Sequence, residues 1–206
     1  QFSSVSATNA ITIVLHKESN DNARDVLLQA VASTLPVEGD KSFIDGMVNA
    51  ARERGKLNKP VEPWLDEALL PPLHDLSGKV MSSEYVRFLL YRMSRVKDMR
   101  SDIEAKYIIQ LVDKEKAASF ALELIKAYSD KGSKPEHKYL MALAALLGNE
   151  TVVDKIRTTI NKWMDENRYK MAEYGVGALA LQGSDKALRW VEWYSRKYKS
   201  KKANVG

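Results

Sequence analysis

The residues able to do chemistry in this chain are few, and their spacing keeps them apart. Three histidines stand at positions 16, 74 and 137. None forms the His-x-x-x-His or His-Glu-x-x-His pair that sets two imidazoles on one helix face. Cysteine is absent, which removes thiolate ligands and disulfides together. His74, beside Asp75 and just after Pro72, could form a polarised His–Asp contact; the competing reading is a histidine on a surface loop. Carboxylates sit together as Asp165-Glu166 and as Glu150 with Asp154. General acid–base catalysis needs two carboxyls converging in a cleft with shifted pKa values. These pairs read as helix-end residues placed favourably by the helix dipole. Lys131-Gly132-Ser133-Lys134 lacks the upstream Gly and the Gly-Lys-Ser/Thr order of a phosphate loop, and reads as a turn between helices. No serine or cysteine nucleophile motif occurs. Asn149-Glu150-Thr151 fits the glycosylation pattern, but an N-cap Asn explains it without secretion. No catalytic residue, cofactor-binding residue or metal ligand is assigned, and the chain is read as a non-enzyme.

A second constellation lies near the C-terminus. Trp190-Val191-Glu192-Trp193-Tyr194 is set among basic residues. Exposed rings interleaved with cations make a platform for single-stranded nucleic acid. At helical spacing, the same rings serve equally as core or as the seat of a further repeat. The run Arg196, Lys197, Lys199, Lys201, Lys202 could contact phosphate, or could simply answer the dipole at a helix C-terminus. Arg189, Arg196, Lys197 and Lys199 are the candidate nucleic-acid contacts. The net charge of +5 is mild, and a solvated surface accounts for it.

These residues are positioned by a chain of 206 residues, 45% hydrophobic and 29% charged, ordinary for a soluble globular protein and enough for one large domain or two small ones. No apolar run approaches the roughly 18–20 residues that cross a bilayer. The apolar piece Ile11–Leu15 lacks the basic flank of a signal peptide. The chain opens on Gln1 and closes on a polar tail, and is read as a fragment or processed product of a longer protein.

Residues 1–19 are open to two readings. Ile11, Ile13 and Leu15 alternate like a strand, and a short helix fits as well. From Asn20 the pattern is helical. Asp21 can cap a helix with Val26, Leu27, Ala30 and Val31 inward, ending before Pro36. Asp40 or Ser42 opens a helix carrying Phe43, Ile44, Met47, Val48 and Ala51, which Gly55 stops in a left-handed conformation. A short helix Trp64–Leu70 ends at Pro71-Pro72. Ser82 or Ser83 caps a helix with Val86, Leu89, Leu90, Met93 and Val96 inward, while Arg87, Arg92, Arg95 and Lys97 fall elsewhere on its circumference. Ser101 or Asp102, Asp113, Pro135, Asn149 and Ser184 open the later helices.

One periodicity organises the C-terminal half. Tyr139 to Glu150 aligns with Tyr174 to Asp185, an offset of 35 residues: an apolar helical run, a Gly, a polar cap, a further helix. Amphipathic helices (150–164, 184–199) alternate with nearly all-apolar ones (135–147, 168–182). The second apolar helix tolerates Gly175 and Gly177, each costing about 1 kcal/mol against Ala, so a neighbouring helix should pass close by. Such a period predicts an all-α, HEAT-like α-solenoid of about nine helices in antiparallel pairs. The domain reading is an N-terminal helical segment over 1–62 and a continuous repeat region over 63–206.

The repeat region also resembles a known family. Pro63-Trp64-Leu65, Leu69-Leu70-Pro71-Pro72-Leu73, Gly78 and Leu89-Leu90 resemble a bacterial family of long, multi-domain proteins with a HEAT-like region. Some of its members carry a WGR domain, and some are molybdate-metabolism regulator-like (MolR-like). The resemblance continues through Gly132-Ser133-Lys134, Leu147 to Glu150, Ile160 to Trp163, Gly183 to Leu188 and Arg196 to Lys199. Met164 departs from the proline the family often has there, and residues 1–62 match nothing in it. The resemblance implies a bacterial, cytoplasmic α-solenoid segment with no catalytic residues and no cofactor. The expected function is a protein-interaction or scaffold segment with an unidentified protein partner and no membrane partner. A nucleic-acid-associated module is the alternative. If the second helix of each pair lines the inner surface, Glu136, Lys138, Arg168, Lys170 and Glu173 are the candidate partner contacts.

Overall fold

The computed structural model describes residues 13–15, 17, 18, 20–31 and 41–203. Among them nine α-helices carry the architecture: α1 (Asp21–Val31), α2 (Lys41–Glu53), α3 (Ser83–Ser94), α4 (Ile103–Ile109), α5 (Ala118–Asp130), α6 (Tyr139–Leu147), α7 (Glu150–Asp165), α8 (Tyr169–Gln182) and α9 (Asp185–Ala203). Two 3-10 turns, Glu67–Leu69 and Pro135–His137, punctuate the connections. The described residues contain no strand, only isolated bridges from His74 to Val80 and from Asp75 to Val112. Residues 13–15 are helical. The readings at Ile11, His16, Pro36 and Asp40, and the side chains of Tyr198 and Lys199, lie outside the described residues.

Capping chemistry fixes where several helices begin, because a side-chain oxygen satisfies N–H groups that the first turn leaves open. Ser82 accepts from the Tyr85 amide at 3.3 Å, and Asp102 from those of Glu104 and Ala105 at 3.0 and 2.9 Å. Asn149 accepts from Thr151 at 3.0 Å and Ser184 from Ala187 at 3.3 Å. Four elements differ from expectation. Asn20, rather than Asp21, accepts from Asn22 and Ala23 ahead of α1. Asp113 caps a separate turn through Glu115 and Lys116, so α5 begins only at Ala118. The helix expected from Pro135 breaks at Lys138, between the 3-10 turn and α6. The expected helix Trp64–Leu70 shrinks to the turn Glu67–Leu69, which Asp66 caps through the Ala68 amide.

The helices pack in two rows. In one, α5 lies against α7 and α7 against α9; in the other, α3 lies against α6 and α6 against α8. Between the rows α5 meets α6, α7 meets α8, and α8 meets α9. The all-apolar α6 is buried along nearly its whole length, as a helix sandwiched on several sides must be. Leu146 and Leu181, at equivalent places in the repeat, are half-buried and packed against this core. Trp163 of α7 is buried edge-on to Tyr128 of α5, with ring centroids 6.0 Å apart.

Gly175 of α8 marks the close approach of a helix expected there, whereas Gly177 is approached by Met99 in the segment between α3 and α4. A Cβ at Gly175 would fall inside 3.0 Å of Ile160 Cγ1 on α7, and one at Gly177 would lie 3.1 Å from Met99 Cβ. The repeat is not strict. Gly183 ends α8 in the left-handed region at φ 73°, whereas Gly148 ends α6 in extended backbone at φ −87°.

Two readings of which side chains face inward are corrected. On α1, Val26 is 67% exposed and Ala30 is exposed, while Leu28 is buried in their place. Arg92 of α3 does not point outward: it is 1% exposed. Both changes have one cause. Helix α1 docks through charge more than through apolar surface, turning Arg24 and Asp25 toward α3 and α4.

Candidate functional site

Buried charges tie the N-terminal helix α1 to α3 and α4. Arg24 is fully buried and donates to Glu104 Oε1 and to the Leu15 carbonyl. Glu104 Oε2 lies 3.1 Å from Arg92 Nε. Arg92 also forks onto Asp102 at 3.0 and 2.8 Å and reaches Asp25 at 2.8 Å. Arg95 holds Asp25 at 2.9 Å and Asn22 at 3.0 Å, and Tyr91 donates to Asp21 at 2.8 Å. Burial raises the Glu104 pKa, against the pull of the two guanidiniums beside it. The carboxylates beside Arg92 outweigh its burial and raise its pKa. No local pattern announces this cluster, since Arg24 and Asp25 lie 80 and 67 residues from their partners Glu104 and Arg92.

A cavity of about 580 Å³ forms an open-sided cleft between the start of α2 and residues 75–82. Three of its polar residues, Tyr85, Asp45 and Asp75, are already engaged. Tyr85 donates to Asp45, and burial together with that carboxylate pushes the phenol's pKa up. Asp75 accepts from the Ser77 amide and hydroxyl and from the Lys79 amide, which holds its pKa down. His74 Nδ1 has no hydrogen-bond partner, so the alternative of a polarised contact from it to Asp75 is not formed. Glu150 and Asp154 meet at Lys186 of α9, at 3.8 and 2.7 Å, an ion pair between α7 and α9. Among the described residues no group of three or more His, Asp or Glu could hold a metal ion.

The candidate partner contacts gather at the N-terminal ends of α6 and α8. The side chains of Lys138 and Lys170 converge on the ring of Tyr174, with Nζ 4.8 and 5.5 Å from its centroid. Glu173 pairs with Lys170 at 3.0 Å. This pairing and the nearby phenol raise the Lys170 pKa. Glu136 is exposed on the 3-10 turn. Arg168 is spent differently. Its Nη2 donates to the carbonyls of Gly132 and Ser133 at 2.7 and 3.3 Å. That joins the turn before α6 to the turn before α8. Ser133 and Asn167 both take positive φ in those turns, 51° and 58°. Between the turns lies an open depression of about 420 Å³ that includes Lys134, Tyr169 and Lys170. Sequence placed the charged residues here and missed Tyr174 as the ring between them. Its alignment with Tyr139 was the available signal, although Tyr139 instead donates to Glu62 at 2.9 Å.

The second candidate group lies on α9. Tyr194 is buried, Trp190 is half-buried under Arg157 at 4.7 Å, and Trp193 is 44% exposed with Lys197 Nζ 4.6 Å from its ring. Arg189 and Arg196 are exposed, and Arg196 pairs with Glu192. The backbone of Lys199 continues the helix. No described helix is long and apolar enough to cross a membrane. Comparison with family models, with curated proteins and with solved structures returned no match for this chain.

Proposed function

We propose that the chain is a non-catalytic protein-interaction and scaffold segment of a larger bacterial, cytoplasmic protein, built as a HEAT-like α-solenoid. The two rows of helices, α5–α7–α9 and α3–α6–α8, support the solenoid reading. So does the 35-residue offset between Tyr139 and Tyr174. The bacterial and MolR-like affiliation rests on the Leu-Leu-Pro-Pro-Leu and Gly-Ser-Asp-Lys-Ala-Leu segments.

The observation that carries the interaction reading is the Lys138–Tyr174–Lys170 cluster. A tyrosine offers a large apolar surface with a polar tip and few rotatable bonds, the properties of an interface anchor. Two ammonium groups beside it add charge selectivity, and the packed α6–α8 pair keeps the anchor in place without ordering cost.

The test is photo-crosslinking in cells. A photoreactive phenylalanine at Tyr169, on the rim of the depression, captures a discrete protein adduct. The same label at Val26, exposed on α1, does not. Tyr174→Ala abolishes the adduct while leaving the circular dichroism spectrum unchanged. Absence of an adduct, or equal adducts from both positions, refutes the reading.

A further inference from the structure

The charge of this chain is segregated. Five of its 32 Lys and Arg residues, Arg196, Lys197, Lys199, Lys201 and Lys202, follow Glu192, and no acid follows it. The other 27 equal the 27 acidic residues, so the entire formal excess of +5 lies in residues 193–206. Ordinary solvation does not require such an arrangement, because a balanced surface keeps a protein soluble with its charges dispersed. A concentrated cationic end is what a polyanion reads.

Helix α9 gives that charge a direction. Arg189, Trp193, Arg196 and Lys197 stand at i, i+4, i+7 and i+8, which places them on one stripe. Three of the four are exposed, and Lys197 is partly so, lying over the Trp193 ring. The helix's other face is already used: Ala187 and Tyr194 are buried, and Trp190 and Val191 pack on the core. Arg157 of α7 adds a cation at the stripe's edge, over Trp190. Two acids lie close to the stripe: Glu192, paired with Arg196, and Asp185, one turn before Arg189.

We propose that this stripe binds single-stranded nucleic acid, with phosphates on Arg189, Arg196 and Lys197 and an unpaired base on Trp193. The choice follows from the two faces of α9. A membrane-surface helix needs its apolar face free to enter the lipid boundary, and here that face is packed inside the protein. A duplex would satisfy the cations and leave the exposed indole unused, whereas a single strand uses both. The inference is independent of the partner face at α6 and α8.

Fluorescence anisotropy of labelled twenty-residue oligo(dT) and oligo(U), titrated with the full chain, tests it. Either strand is bound at about 50 mM salt. Three phosphate contacts on a single strand weaken binding by about 20-fold between about 50 and 200 mM salt. Arg196→Gln/Lys197→Gln lowers the slope of log affinity against log salt by about 1.4. Trp193→Ala costs about five-fold or more, and Trp193→Phe restores most of that loss because a ring is kept. The Phe variant also guards against misfolding, with circular dichroism as the check. The proposal is overturned if neither strand binds at low salt, or if Trp193→Ala leaves affinity unchanged. Equal binding to a duplex of the same length, or preferential binding to phosphatidylserine vesicles, overturns it as well.

Discussion

Gly175 offers a test of helix packing that separates two opposed effects. In an isolated helix, Gly175→Ala would gain about 1 kcal/mol, because Ala restricts the unfolded chain and Gly does not. In this protein the new methyl would meet Ile160. Its Cγ1 falls inside 3.0 Å and its Cδ1 at 3.1 Å, with Trp163 Cζ3 at 3.3 Å. The nearest atom is the branch carbon of a fully buried isoleucine, so it cannot swing aside as the tip of a long side chain would. Overpacking of this kind costs about 1–3 kcal/mol, and two shared neighbours put the cost near the upper end. The net expectation is a loss of about 1–2 kcal/mol. Ile160→Ala alone costs about 2–5 kcal/mol through lost burial and the cavity left behind. In that background the sign reverses: the methyl added at position 175 fills vacated space, and Gly175→Ala stabilises by about 1 kcal/mol. The cycle should show a coupling of about 2–3 kcal/mol between positions on α7 and α8. Urea unfolding of the four proteins, followed by tryptophan fluorescence, measures it, since Trp163 sits at the contact. Stabilisation by Gly175→Ala in the wild-type background, or the same effect in both backgrounds, would refute the close approach of the two helices.

Two further outcomes concern stability. Tyr85, Tyr91, Tyr128 and Tyr139 all have pKa values pushed up, in each case chiefly by burial. For Tyr91 the value reaches about 12, with Asp21 adding to the effect. A folded pKa above the unfolded one means stability is complete below pH 10 and is lost as pH rises toward 12. Tyr91 alone accounts for about 2–3 kcal/mol of that loss. Tyr91→Phe should flatten the decline between pH 10 and 12, and absorbance at 295 nm should show these phenols ionising only on unfolding. For the buried charges, Arg24→Met removes one of the guanidiniums that face Glu104 and should cost about 3 kcal/mol or more in urea unfolding. The double variant Arg24→Met/Glu104→Leu should recover part of that loss. No recovery would show that the pair is more than a compensated burial.

The legible part of the fold was local. Ser82, Asp102, Asn149 and Ser184 announce their helices because a cap acts within three residues of itself. The closeness of α7 and α8 was readable at Gly175, because glycine in a helix needs a compensating neighbour, while the neighbour at Gly177 is Met99, between α3 and α4. Arg92 was misplaced for the opposite reason. On the helical wheel an arginine counts as surface, and the carboxylates of Asp25 on α1 and of Asp102 and Glu104 at the start of α4 make its burial tolerable. Val26 failed with it: once Arg24 and Asp25 turn inward, the face of α1 is set by charge and the valine is carried outward. At the candidate site the charged residues were identified from repeat position. Their convergence on Tyr174 was not readable, since it depends on how far α6 and α8 are staggered.

Side chains bridge the α6–α8 pair at both ends. Arg168 binds the Gly132 and Ser133 carbonyls at one end, and Gln182 Nε2 donates to the Gly148 carbonyl at 3.3 Å at the other. Rods fastened top and bottom resist fanning open more than a pair joined at one end. The contact proposed at Lys138 and Lys170 is thus carried by two helices tied to each other above and below.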